Sequence, residues 1–290
     1  MKRYSKLILP VAFCLCSVLQ VVAEKADTVE VKKSGVAVGL KYLSNNVYLG
    51  RIDSANIMYL VPSVGYYHKS GLHVGASLNY QLDAGLNRID AVTLEGGYDF
   101  KLGTDFSGGL SVEKYFYDMN SIALNSVNDL GITSNFSYDF SIVTLNLGGG
   151  LAFNDKIDFI TEAGLNKSFE VGKFTIEPTL KLNAGTQNYY NTYLANGKSH
   201  LNGNNGHGKN QGSAKSTATL TVAEASSYKM LDYEISVPVS YTYHHFKFNI
   251  IPTYAISVNA ATILSSTGTV EKENITNHFV VQMEVAYKFE

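Results

Sequence analysis

From residue 34 onward, apolar and polar residues alternate along this chain with a period of two. This is the mark of β-strands whose two faces meet different surroundings. Leu72, Val74, Ala76, Leu78, Tyr80 and Leu82 share one parity, with His73, Gly75, Ser77, Asn79 and Gln81 on the other. Leu231, Tyr233, Ile235, Val237, Val239, Tyr241 and Tyr243 alternate in the same way with Asp232, Glu234, Ser236, Pro238, Ser240 and Thr242. The last segment is the cleanest: Phe279, Val281, Met283, Val285, Tyr287 and Phe289 against His278, Gln282, Glu284 and Lys288. The pattern predicts about twelve strands, near 34–43, 56–68, 71–82, 90–100, 106–118, 130–140, 141–153, 157–169, 173–185, 228–243, 245–259 and 276–290. No helical period is sustained anywhere after the first 23 residues.

The links carry a second pattern. Those near 69–70, 101–105, 139–141, 170–173 and 244–245 are short, whereas 44–55, 83–89, 119–129, 186–227 and 260–275 are longer and polar. Short and long links therefore alternate, as in an up-and-down transmembrane antiparallel β-barrel with short periplasmic turns and longer extracellular loops. The link 154–156 is short where a long one is expected. The 186–227 loop, dense in Gly and Asn, reads as a mobile exterior segment, with folding inward as a constriction or contact with an external partner as the alternatives.

The N-terminus changes the picture of where the strands reside. Lys2, Arg3 and Lys6 precede an apolar run from Leu7 to Ala23 that ends in Val21-Val22-Ala23, the layout of a secretory signal peptide. The expected organisation is a signal peptide over 1–23, a short periplasmic lead over 24–33 and a barrel over 34–290. Both cysteines, Cys14 and Cys16, fall in the removed segment, so the mature chain has neither disulfides nor thiol chemistry. Removing the three basic residues leaves 20 Lys plus Arg against 25 Asp plus Glu, a net charge of -5 and a poor match for nucleic acid.

Alternation also occurs in soluble sandwiches. Two features favour hydrocarbon outside. The polar parity is rich in small groups, among them Gly35, Gly39, Gly75, Ser77, Thr133, Asn135 and Ser137, which suit a crowded barrel interior better than a water-facing sheet. Aromatic residues of the apolar parity gather at strand ends. Tyr98, Phe100, Tyr138, Phe174, Tyr241, Phe246, Phe248, Tyr287 and Phe289 lie toward one rim, and Tyr80, Phe116, Phe153 and Phe279 toward the other, like belts at bilayer interfaces. Closure into a barrel then satisfies every backbone group inside lipid. Lys114 and Lys167 fall on the lipid parity; each is expected to snorkel to a rim or to mark a bulge.

The stretch Pro62 to Leu72, the segment Glu113-Lys114-Tyr115-Phe116-Tyr117 and the aromatic C-terminal strand together resemble small outer-membrane β-barrels of Gram-negative bacteria, of the Bacteroidota type. The resemblance implies outer-membrane lipid as surroundings. It also implies barrel assembly machinery and periplasmic chaperones as partners during biogenesis. Val285, Tyr287 and Phe289 would belong to the assembly signal, which in such proteins usually ends in Phe; here Glu290 follows Phe289.

Candidate chemistry lies on the interior parity. Glu95, Glu113, Glu162, Glu177, Asp232, Glu234 and Glu284 face Lys41, Lys181 and Lys247, and would line an acidic lumen that favours cations, as charged rings do in channels. The competing reading is a plug of Lys–Glu pairs, since twelve strands lie between a filled eight-stranded barrel and an open sixteen-stranded one. The seven histidines have no metal-site spacing, and no cofactor is expected. The run Gly203 to Asn210 mimics a phosphate-binding loop, but Asn210 stands where Ser or Thr must hold magnesium and no strand–helix context surrounds it.

Three classes of function follow. The first is a non-enzymatic outer-membrane barrel, either a narrow, weakly cation-preferring channel for a small solute or a structural or surface-binding membrane protein. The second is an outer-membrane lipid hydrolase using His278, the interior histidine near the outer rim. The third is a soluble secreted β domain.

Overall fold

The computed structural model describes residues 33–52, 57–82, 88–196 and 219–289. The signal-peptide segment, most of the lead, the 203–210 run and Glu290 lie outside the described residues.

Twelve antiparallel strands close into one barrel. They are β1 (Gly35–Leu43), β2 (Met58–Tyr67), β3 (Leu72–Leu82), β4 (Arg88–Leu102), β5 (Phe106–Tyr117) and β6 (Leu130–Asp139). Then come β7 (Thr144–Phe153), β8 (Ile157–Asn166, resuming as Phe169–Val171), β9 (Phe174–Ile176, resuming as Thr179–Gly185) and β10 (Lys229–Ser236, resuming as Val239–Tyr243). The last two are β11 (Phe246–Ser257) and β12 (His278–Phe289). Each strand pairs with its sequence neighbours, and β12 closes on β1 with Val36 opposite Phe289 and Leu43 opposite Gln282. This is the up-and-down transmembrane barrel that the alternation predicts.

The three interruptions have a common cause. Pro178 and Pro238 lack the N–H that a central strand must donate, so the ladder breaks beside each. The neighbouring chain adapts: Glu177 N–H donates to Pro238 O at 2.9 Å and Lys167 N–H to Pro178 O at 3.3 Å.

The apolar parity points outward. Val74, Leu110 and Phe279 are 58%, 53% and 65% exposed, an arrangement that water would penalise and hydrocarbon would not. Around one rim the rings touch in a near-continuous girdle: Tyr98–Phe100, Phe106–Phe136, Phe174–Tyr241, Phe246–Tyr287 and Tyr287–Phe289. Lys114 and Lys167 keep the outward parity by snorkelling. The Lys114 ammonium lies 5.6 Å from the Phe116 ring and 3.8 Å from Asp129, and that of Lys167 donates to Ser141 O in a rim turn. Two-residue and other tight turns close that rim. His244–His245 joins β10 to β11 with His244 at φ 52°. In the β2–β3 turn Gly71 takes φ 96° while a Cβ there would stand 2.0 Å from Asp99 O, so no other residue fits.

The opposite rim departs from the sequence reading. The 186–227 loop was expected to be mobile and free of helix, yet its described parts fold. Asn188–Ala195 forms a helix, α1, inside the barrel mouth, and Leu220–Val222 pairs with Thr262–Ser265, which pairs with Val270–Lys272. The 44–55 loop contains a hairpin, Val47–Tyr48 with Arg51–Ile52, and the 119–129 loop a 3-10 turn, Leu124–Val127. Tyr48, Leu49, Leu124, Tyr189, Tyr193, Leu194 and Val222 bury one another above Ala152, Ile160 and Leu231 of the barrel wall. Among the described residues the larger of two buried apolar clusters is therefore the cap, the smaller being Ile57, Tyr59 and Val61. At about 1.5–3 kcal/mol per buried large apolar side chain, these contacts reinforce loops whose own ladders are only two to four residues long.

Candidate functional site: a capped, charged interior

The hairpin turn that seals the mouth is made by Leu49 and Gly50, both left-handed at φ 51° and 78°. A Cβ on Gly50 would meet the Asp232 Cβ at 2.8 Å, so the turn presses directly on β10, and Ser257 of β11 donates to its Gly50 carbonyl. Three loops then converge on Arg51. Its Nε and Nη2 donate to Glu273 Oε1 and Oε2 at 2.8 and 2.6 Å, a bidentate pair. Its guanidinium carbon lies 4.7 Å from the Tyr190 ring centroid, and Nη1 reaches the Tyr189 hydroxyl at 3.5 Å. Gln187, its amide oxygen oriented toward the guanidinium, accepts from Nη2 and Nη1 at 3.0 and 3.1 Å. Burial opposes the Arg51 charge, but Tyr189 and Glu273 outweigh it and hold the pKa above its ordinary value. Burial also pushes the phenols of Tyr48, Tyr189 and Tyr190 above theirs.

Helix α1 borrows its cap from the barrel. Asp158, fully buried at the end of β8, accepts from the Asn188 and Tyr189 N–H groups at 2.7 and 2.6 Å and from Thr186 Oγ1 at 2.6 Å. These orphan amides would otherwise be unsatisfied inside the mouth.

Below the cap the polar parity faces inward and crowds the interior. The ten sequence-predicted residues fall into groups. Lys181 of β9 stands between two carboxylates, 2.7 Å from Glu234 of β10 and 3.7 Å from Glu162 of β8. Asn183 donates to Asp232 at 2.6 Å and to Glu234 at 3.3 Å, which joins a third carboxylate to this group. Lys41 of β1 is directly opposite Glu284 of β12, which also accepts from Asn249 at 3.3 Å. Lys247 lies one diagonal step away on β11. Glu95 and Glu113 are cross-strand neighbours on β4 and β5. Glu113 is relieved by the Tyr115 hydroxyl and Glu95 by His73 at 3.2 Å. His73 also reaches Asp99 at 3.1 Å, a partner the sequence did not single out. Glu177 stands apart at the break in β9, where Ser168 donates to it. The proposed assembly residues Val285, Tyr287 and Phe289 lie on β12 opposite Leu40, Val38 and Val36 of β1.

A cavity of about 130 Å³ remains between cap and interior, lined among others by Lys41, Tyr59, Tyr117, Asn125, Lys181 and Glu234. Among the described residues no group of three or more His, Asp or Glu is arranged to hold a metal ion. His278 has Thr276 Oγ1 at 3.4 Å.

Sequence reasoning missed the cap residues Arg51, Asp158, Tyr189 and Glu273. One signal was present. Tyr189, Tyr190, Tyr193 and Leu194 recur at helical spacing within a loop otherwise rich in Gly and Asn.

No family model matches the sequence, and no curated protein matches it. Among solved structures, the chain is similar in form to the NanC porin (14% identity, TM-score 0.48, covering 88% of this chain and 100% of that one). It is similar to the KdgM porin as well (11%, 0.46, 88% and 99%) and to LpxR from Salmonella typhimurium (9%, 0.43, 87% and 100%). At these identities and scores the likeness is one of overall form.

Proposed function

We propose that this chain is an integral outer-membrane barrel, exported by its signal peptide, that works as a narrow, weakly cation-preferring channel closed at rest by its own outer loops. The observation that supports this reading is the charged interior behind an apolar shell. Seven of the ten interior residues singled out from the sequence are carboxylates against three lysines, and Lys41, Lys181 and Glu234 of these line the cavity together with Asp90. A wholly structural barrel has no need of buried charges, which cost more to desolvate than apolar filling. Carboxylates beside a water-sized passage lower the energy of a cation there and raise that of an anion.

The test is electrical. Unitary conductance in planar bilayers is expected, rare at rest and weakly cation-selective, with the selectivity reduced in Glu234→Gln and Glu177→Gln. Silence of wild-type and cap-loosened protein alike would remove the channel reading. It would leave a structural or surface-binding membrane protein, which the packed cap and its three-stranded loop sheet favour as the second reading.

A further inference from the structure

The group around Lys181 has a specific imbalance. Lys181 of β9 stands between Glu162 of β8 and Glu234 of β10, and Asn183 ties a third carboxylate, Asp232 of β10, to Glu234. Asp232 is fully buried, and only its Oδ1 is hydrogen-bonded, to Asn183. Its Oδ2 is a buried carboxyl oxygen with no hydrogen-bond partner. Lys181 and Glu234 both line the 130 Å³ cavity, so the ammonium sits at the edge of the space through which an ion would pass.

An ammonium on a flexible four-carbon stem is a compact point charge of the size and sign of a small monovalent cation. We propose that Lys181 is a built-in counter-ion. It occupies the position a permeating monovalent cation would take among Glu162, Asp232 and Glu234, and so it, rather than the number of carboxylates, limits how strongly the barrel prefers cations. The inference rests on the channel reading for its electrical consequence, but the occupancy itself does not. Removing the ammonium vacates a carboxylate-lined position beside the cavity; exchanging it for a guanidinium does not.

Two measurements on the full-length mature protein in detergent or lipid separate these points. In a KCl gradient across a planar bilayer, Lys181→Met is expected to raise the potassium-to-chloride permeability ratio roughly threefold or more, because a fixed positive charge beside the path repels cations and attracts anions. Lys181→Arg is expected to match wild type. An unchanged ratio in Lys181→Met overturns the inference while leaving the channel intact.

The second measurement needs no conduction. The thermal midpoint of Lys181→Met is expected to rise when N-methylglucamine chloride is replaced by equimolar NaCl, because only the small cation fits; wild type is expected to show no such difference. A folded Lys181→Met barrel indifferent to that exchange overturns the inference whether or not wild type conducts. Should Lys181→Met fail to fold, Lys181→Met combined with Glu162→Gln removes one of the uncompensated charges, and the same two readings apply to it.

Discussion

Arg51 and Glu273, 222 residues apart in sequence, meet as a buried bidentate ion pair, with their side chains only 7% and 10% exposed. The pair ties the hairpin after β1 to the loop before β12, and helix α1 packs on the guanidinium through Tyr189 and Tyr190. The described parts of these loops are thus one folded unit built around the buried Arg51 guanidinium.

Breaking this pair from one side strands a buried charge. Glu273→Ala is expected to destabilise the cap by about 3–5 kcal/mol, the usual cost of removing one partner of a buried pair. The barrel, held by its closed ladder, is expected to keep its wild-type mobility on unboiled gels. Hydrogen exchange at 258–277 and around α1 is the readout, together with more frequent openings in bilayers. Exchange as slow as in wild type would show that the cap does not depend on Arg51.

Asp158 tests the link between wall and cap. Asp158→Ala removes the acceptor for the Asn188 and Tyr189 amides and for Thr186. A lost cap of this kind costs about 1–2 kcal/mol, more where the orphaned donors are buried. Amides in the first turn of α1 are expected to exchange at least tenfold faster, with β8 itself unchanged. Equal acceleration throughout the barrel would contradict the local role assigned to this carboxylate.

The cap also has an alkaline limit. Burial raises the phenol pKa values of Tyr48, Tyr189 and Tyr190 above the ordinary value of about 10 at which unfolded tyrosines ionise. Because the folded-state values are the higher ones, the contribution of these neutral phenols to stability is complete below about pH 10. It is lost as the pH rises from there through the folded-state values. Titration by phenolate absorbance is expected to show a late-ionising set coincident with loss of cap protection, and Tyr189→Phe is expected to shrink that set. Ionisation of all tyrosines near pH 10 with the cap intact would contradict the burial described above.

The strands were legible in sequence because lipid and lumen impose opposite demands on successive residues, so each of the twelve carries its own record of both faces. Some of the exceptions were readable. Lys114 and Lys167 do reach the rims, whereas the breaks beside Pro178 and Pro238 fall within segments the alternation reads as single strands. The cap was illegible for a physical reason. Its contacts join loops hundreds of residues apart, as Arg51 and Glu273 do, and no local period encodes such a pairing. Its helix spans only eight residues, too short for a periodic pattern to stand out against its polar loop. The interior charges fell between these limits. Parity said which way Glu162, Lys181 and Glu234 point, but only the strand register brought them within reach of one ammonium.

The assignment of an oily medium to the outward face is most directly tested by single-cysteine scanning, since the barrel segment 34–290 has no cysteine of its own. Spin labels at Leu78, Leu94, Leu110 and Leu180, paired with labels at Ser77, Thr93, Ser111 and Thr179, can be read for collision with oxygen and with a water-soluble nickel complex in liposomes. The first set is expected to be relaxed by oxygen and shielded from nickel, and the second to show neither the lipid signature nor its depth dependence. Ready nickel access along the first set would mean that water bathes these strands.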